Sequence, residues 1–168
     1  MSIKSLGKQS LVYGIGHILA RLVTFFLLPL YTNVFTASEY GVVALFYTFL
    51  SFMNVIMRYG LGAAFLKFYV PASDSERNAI FTNVIASLFL TGIPFFLVWH
   101  GLRNLISPII LGVNEPSFIS IMGIIIVLDT IWSIPLLGFR AENRPILFII
   151  FSLLNVGITI GLNLFLIL

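Results

Sequence analysis

Three charged side chains stand within long apolar stretches: Arg21, Arg58 and Asp129. Arg21 interrupts "YGIGHILARLVTFFLLPLYTNVF", residues 13–35, and its guanidinium does not lose its proton in a protein. A charge at the centre of a bilayer costs about 2.5–3.5 kcal/mol on insertion scales. Each of these residues therefore needs a partner, water or a ligand. His17 lies one helical turn before Arg21, and Asn54 one turn before Arg58, so each pair shares a helix face. Guanidinium groups are planar forks whose donors match phosphate oxygens in pairs. The chemistry this implies is anion binding, with Arg21, Arg58, His17 and Asn54 as candidate residues. Asp129 has two readings. It pairs with one arginine and holds helices together, or it binds a coupling ion, H+ or Na+. One carboxylate cannot neutralise both arginines. For Arg58, which falls toward one end of its apolar stretch, snorkelling to the membrane surface is a further reading.

Other chemistry has little to work with. There are two histidines and no cysteines, so thiolate metal sites and disulfides are excluded. His17 as a metal ligand is weaker than His17 as a hydrogen-bonded cavity residue. His100, beside Trp99, marks a membrane edge. No zinc-protease helix motif, nucleophile elbow or phosphate-cradling glycine loop is present. No cofactor or metal is expected, nor an enzyme.

The elements that must position these residues follow from composition. The chain of 168 residues is 60% hydrophobic and only 9% charged, with a mean hydropathy of +1.10. A soluble domain carries about 25% charged residues. The sequence therefore reads as an all-α integral membrane protein, and its sparse charge excludes a nucleic-acid partner. A spanning helix needs about 20 mostly apolar residues. Five stretches qualify, at roughly residues 11–33, 41–66, 79–100, 118–138 and 146–168, in a single transmembrane region over 1–168. Ser38 or Ser73 to Ser75 would cap the helices that follow them. Gly14, Gly16, Gly60 and Gly62 allow close packing or bending beside the polar stripes.

Orientation follows from the basic residues. Lys4, Lys8, Lys67, Arg77, Arg140 and Arg144 fall on one side of the membrane and Arg103 on the other. The bias predicts a cytoplasmic N-terminus. The last stretch runs to Leu168 in apolar sequence with no flanking charge, which suits the N-terminal piece of a longer transporter.

Four features resemble the lipid-linked oligosaccharide flippases, the O-antigen and polysaccharide exporters of bacteria. Lys4 and Lys8 precede a first helix with an embedded arginine. "FTASEYGVVALFYTF" is similar to the acidic-Tyr-Gly loop that opens the family's second helix, here Glu39, Tyr40 and Gly41. "MRYGLGAAFLKFY" is similar to its glycine-rich exit, and "GFRAENRP" to the cytoplasmic loop before the fifth span. The resemblance implies part of the first six-helix half of a two-half bundle in the cytoplasmic membrane. It implies passage of an undecaprenyl-diphosphate-linked glycan between leaflets, with Arg21 and Arg58 meeting the diphosphate among the membrane lipids. Two other readings carry distinct expectations. A cation-coupled drug extruder of the same fold would place acidic residues, rather than arginines, in its cavity. A structural membrane subunit would use Arg21 and Asp129 to pair helices.

Overall fold

The computed structural model describes residue 29 and residues 31–167. Among the described residues the regular structure is entirely helical. The helices are α1 (Ala37–Arg58), α2 (Leu61–Tyr69), α3 (Asp74–Gly101), α4 (Arg103–Leu111), α5 (Pro116–Ala141) and α6 (Pro145–Ile167). Among the described residues, three helices, α1, α3 and α5, are long and apolar enough to cross a membrane. At about 1.5 Å per residue, their 22, 28 and 26 residues exceed or match the ~30 Å hydrocarbon thickness. The first expected span, residues 11–33, lies almost wholly outside the described residues.

Local chemistry sets the helix starts. Thr36, rather than Ser38, opens α1: its backbone N–H and its hydroxyl donate to Glu39 Oε2 at 2.9 and 2.8 Å. Ser73 does the same for α3, donating to Glu76 Oε2 at 2.8 Å from the backbone and 2.6 Å from the hydroxyl. Both are the Ser/Thr-x-x-Glu reciprocal cap. The cap at Ser73 carries the polar run from Asp74 to Asn78 into the helix, so α3 begins five residues before the expected span.

Two expectations are corrected. The stretch 41–66 is not one helix. Tyr59 has φ +30° and Gly60 φ +80°, a left-handed step that ends α1 at Arg58, and α2 starts afresh at Leu61. The segment "GLRNLISPIILGVNEPS" is not a plain loop. Arg103–Leu111 within it is helical despite Pro108, because its Leu and Ile residues recur at helical spacing and have a core to cover.

The chain divides into two units. In one, Gly41–Ala141, α3 and α5 lie tightly together. A Cβ on Gly123 would sit 2.7 Å from Trp99 Cδ1, and one on Gly92 would sit 3.1 Å from Val127 Cγ1. Small residues at such crossings let membrane helices approach closely. Trp99 stacks on Phe49 and on Phe95 at ring separations of 5.5 and 5.4 Å, and its indole N–H donates to Ile119 O at 2.8 Å. This apolar cluster also takes in Leu50, Leu111, Met122 and Ile126. A second cluster, Phe65, Tyr69, Leu88 and Ile134, fixes α2 against α3 and α5. Of the other unit, Glu142 pairs with Arg144 at 3.0 Å in the turn before α6, and Asn143 takes the left-handed φ of +54° there, a conformation Asn tolerates.

Candidate functional site

Polar demand in the Gly41–Ala141 unit concentrates where α1 meets α5. Several hydroxyls on these helices satisfy themselves. Thr48 donates to Ala44 O at 2.7 Å, Ser51 to Tyr47 O at 2.9 Å and Ser133 to Thr130 O at 2.7 Å. Such back-bonding to the preceding turn removes their need for a partner. Asn54, Arg58 and Asp129 have no such local outlet.

Asn54 and Asp129 find each other. Asn54 Nδ2 donates to Asp129 Oδ2 at 3.4 Å, a long contact across 75 residues of sequence. Thr130, only 2% exposed, donates to Ile126 O at 2.7 Å and reaches Asn54 Oδ1 at 3.4 Å. Asn54 therefore joins an exposed carboxylate to a buried hydroxyl on consecutive residues of α5. Asp129 is the fourteenth of the 26 residues of α5, so this contact lies midway along that helix.

Arg58 sits one turn beyond. Its guanidinium is exposed and makes no ion pair or hydrogen bond among the described residues. It does not pair with Asp129. It occupies the last turn of α1, where a cation complements the carbonyl end of the helix dipole. The level of this residue follows from α5 used as a ruler. Asn54 meets Asp129, and Gly62 packs so close to Leu137 that a Cβ would lie 3.1 Å from Leu137 Cδ1. The two contacts share one sequence offset and bracket the Tyr59–Gly60 step. The break, with Arg58 at its edge, thus falls alongside the interior of α5 and not beyond its end. Tyr59 is held at the step by its hydroxyl, 3.4 Å from Thr91 Oγ1 on α3.

Of the residues expected from sequence, Asn54, Arg58 and Asp129 fall along one side of the α1–α5 pair. His17 and Arg21 lie outside the described residues. Thr130 and the Tyr59–Gly60 break join these residues in the structure. The signal for Thr130 was its position next to an intramembrane acid. Gly60 carried a bending signal, but nothing in the sequence marks Tyr59 for a positive φ. Among the described residues no group of histidine and acidic side chains is placed to hold a metal ion. No family model matches the chain, and neither a curated protein nor a solved structure matches it.

Proposed function

We propose that the chain belongs to a membrane transporter that carries an anionic, lipid-linked substrate, specifically an undecaprenyl-diphosphate-linked oligosaccharide, between leaflets of the cytoplasmic membrane. The observation that carries this reading is Arg58, an exposed guanidinium at the edge of a broken helix alongside the interior of α5. A diphosphate leaving water needs fixed donors to replace its hydration, and a guanidinium supplies them in the paired geometry phosphate prefers. Interrupted helices at mid-membrane level are a recurring way for transporters to present such groups. Asn54, one turn away, adds an amide that can engage sugar hydroxyls. The basic-residue bias places the N-terminus in the cytoplasm, and the sequence resemblance to the oligosaccharide flippases supports the choice of cargo. In the two-half bundle that this resemblance implies, Arg21 joins Arg58 in the cavity.

The Asn54–Asp129 contact favours a second reading, in which these residues pair helices and the chain is a structural subunit. Interhelical hydrogen bonds of this kind are common in membrane bundles. The two readings separate on Arg58. In a strain lacking the gene, complementation with the full-length Arg58→Lys variant keeps the charge and removes the fork. Transport of a diphosphate through Arg58 requires a clear drop in surface glycan and a build-up of the lipid-linked precursor, at unchanged protein level. Wild-type surface glycan with both Arg58→Lys and Arg58→Ala would reject the proposal and leave the structural reading.

A further inference from the structure

The helix α4 sits between two membrane-spanning helices and has an unusual outer face. Its inner face is accounted for: Ser107 and Leu111 are buried, and Ile106 and Ile110 pack on the cluster around Trp99. Its outer face carries Leu105, Pro108 and Ile109, with Leu105 62% and Ile109 74% exposed. At 100° per residue these three positions form one contiguous side of the helix, and Asn104 is the single exposed polar residue of the helix, at the rim of that side. A nine-residue helix facing water would carry polar residues there, as surface helices do.

The position of α4 is fixed by short connections. Only Leu102 separates it from α3, and residues 112–115 separate it from α5. Side chains hold the corner as well. Arg103 Nη1 donates to His100 Nε2, which leaves His100 Nδ1 to donate to Ser120 Oγ at 3.0 Å, and Ser120 donates to Pro116 O at 3.3 Å. Ser107 Oγ donates to Val113 O and accepts from Glu115 N–H, both at 2.8 Å. These contacts tie the helix to the ends of the two spans. Beside it, Leu97 and Val98 on α3 and Phe118 and Ile121 on α5 are exposed large apolar residues. On membrane-spanning helices such residues form the surface that meets lipid. The outer face of α4 is apolar in the same way, with Asn104 at its rim; the exposed polar residues Asn114, Glu115 and Ser117 lie on the connection to α5 and in its first turn.

We propose that α4 is an interfacial helix whose Leu105–Ile109 face is inserted in the lipid at the membrane boundary, and that its occupant is the bilayer itself. The reading rests on α3 and α5 crossing the membrane and is independent of the cargo. An apolar face on a short helix lying at the headgroup and acyl boundary is the usual form of a monotopic anchor. Arg103, which turns inward to His100, contributes little to headgroup attraction; the anchoring is apolar.

The chain has no cysteine, which makes the test direct. Single variants Leu105→Cys, Ile109→Cys, Leu97→Cys, Asn104→Cys and Glu115→Cys carry a nitroxide label in the full chain, reconstituted in phosphatidylcholine/phosphatidylglycerol vesicles. Collision with oxygen is compared with collision with a water-soluble nickel chelate. The expected oxygen-to-nickel ratio at 105 and 109 is several-fold above that at 115 and close to that at 97, with 104 between. Nickel access at 105 and 109 equal to that at 115 overturns the proposal by placing the face in water. Shielding from both reagents overturns it too, because a protein segment then covers the face. All labelled positions are exposed, and Trp99 fluorescence checks that the corner remains folded.

Discussion

Two of the seams that α5 makes, with α3 and with α1, are built on opposite terms. Toward α3 the seam is apolar and tight. Gly92 and Gly123 remove side chains at the crossing, and Trp99 fills the space between Phe49, Phe95 and the backbone of α5. Toward α1 the backbones stand farther apart, and Phe46, Phe49 and Met53 of α1 pack on the cluster around Trp99. Within that looser seam Asn54, Asp129 and Thr130 meet, and Arg58, one turn beyond Asn54, has no ion-pair or hydrogen-bond partner among the described residues. Membrane helices gain little from burying apolar surface, because lipid is equally apolar, so packing density and hydrogen bonds decide association. By that measure the α3–α5 seam holds the unit together, and the α1–α5 seam is the one available for work.

Substitutions sharpen or break this contrast. The largest effect is expected at Gly123→Ala. The new Cβ would meet a tryptophan ring that is stacked on two sides and hydrogen-bonded, and overpacking of that kind costs about 1–3 kcal/mol. Reversible unfolding in bicelles measures it, and a neutral result would show that the Trp99 ring moves easily. Next comes Ser107→Ala, which removes the acceptor for Glu115 N–H and the donor to Val113 O. A loss of about 1 kcal/mol is expected, with amide exchange at Glu115 rising first.

The Asn54–Asp129 pair is expected to be weaker. A double-mutant cycle with Asn54→Ala and Asp129→Ala should give a coupling near 0.6 kcal/mol, the average for interhelical hydrogen bonds in a membrane protein. A coupling as large as the Gly123 effect would make the polar seam structural and weaken the transport reading. The smallest stability effect belongs to Arg58→Lys, within about 0.5 kcal/mol, as for exposed surface positions. Loss of transport together with that small change would place the role of Arg58 outside folding.

The sequence made the α3–α5 side more legible than the α1–α5 side, for a physical reason. Hydropathy over some 20 residues detects α3 and α5 because the signal is summed along the chain. Ser73 caps α3 as expected, whereas at α1 Thr36, three residues before Glu39, caps in place of the expected Ser38. The Tyr59–Gly60 step is one pair of dihedral angles inside an apolar stretch, and hydropathy averages over it. The helix α4 was hidden by Pro108 and the flanking glycines, which read as turn signals until a core exists for Leu111 to cover. The partner of Asp129 was not legible either. Charge alone suggests an arginine, whereas the fold brings up an amide from 75 residues away.

That separation has a consequence for biosynthesis. The corner around α4 closes through contacts 3, 6, 8 and 20 residues apart in the chain. Local contacts form early because little loop entropy opposes them. The corner needs only the first turns of α5. The contact from Asn54 to Asp129 needs half of α5 to have been synthesised. Until then Asn54 resides in the nascent protein without the acid or its neighbouring hydroxyl. The order of synthesis thus closes the corner around α4 first, and the polar contact joins it later.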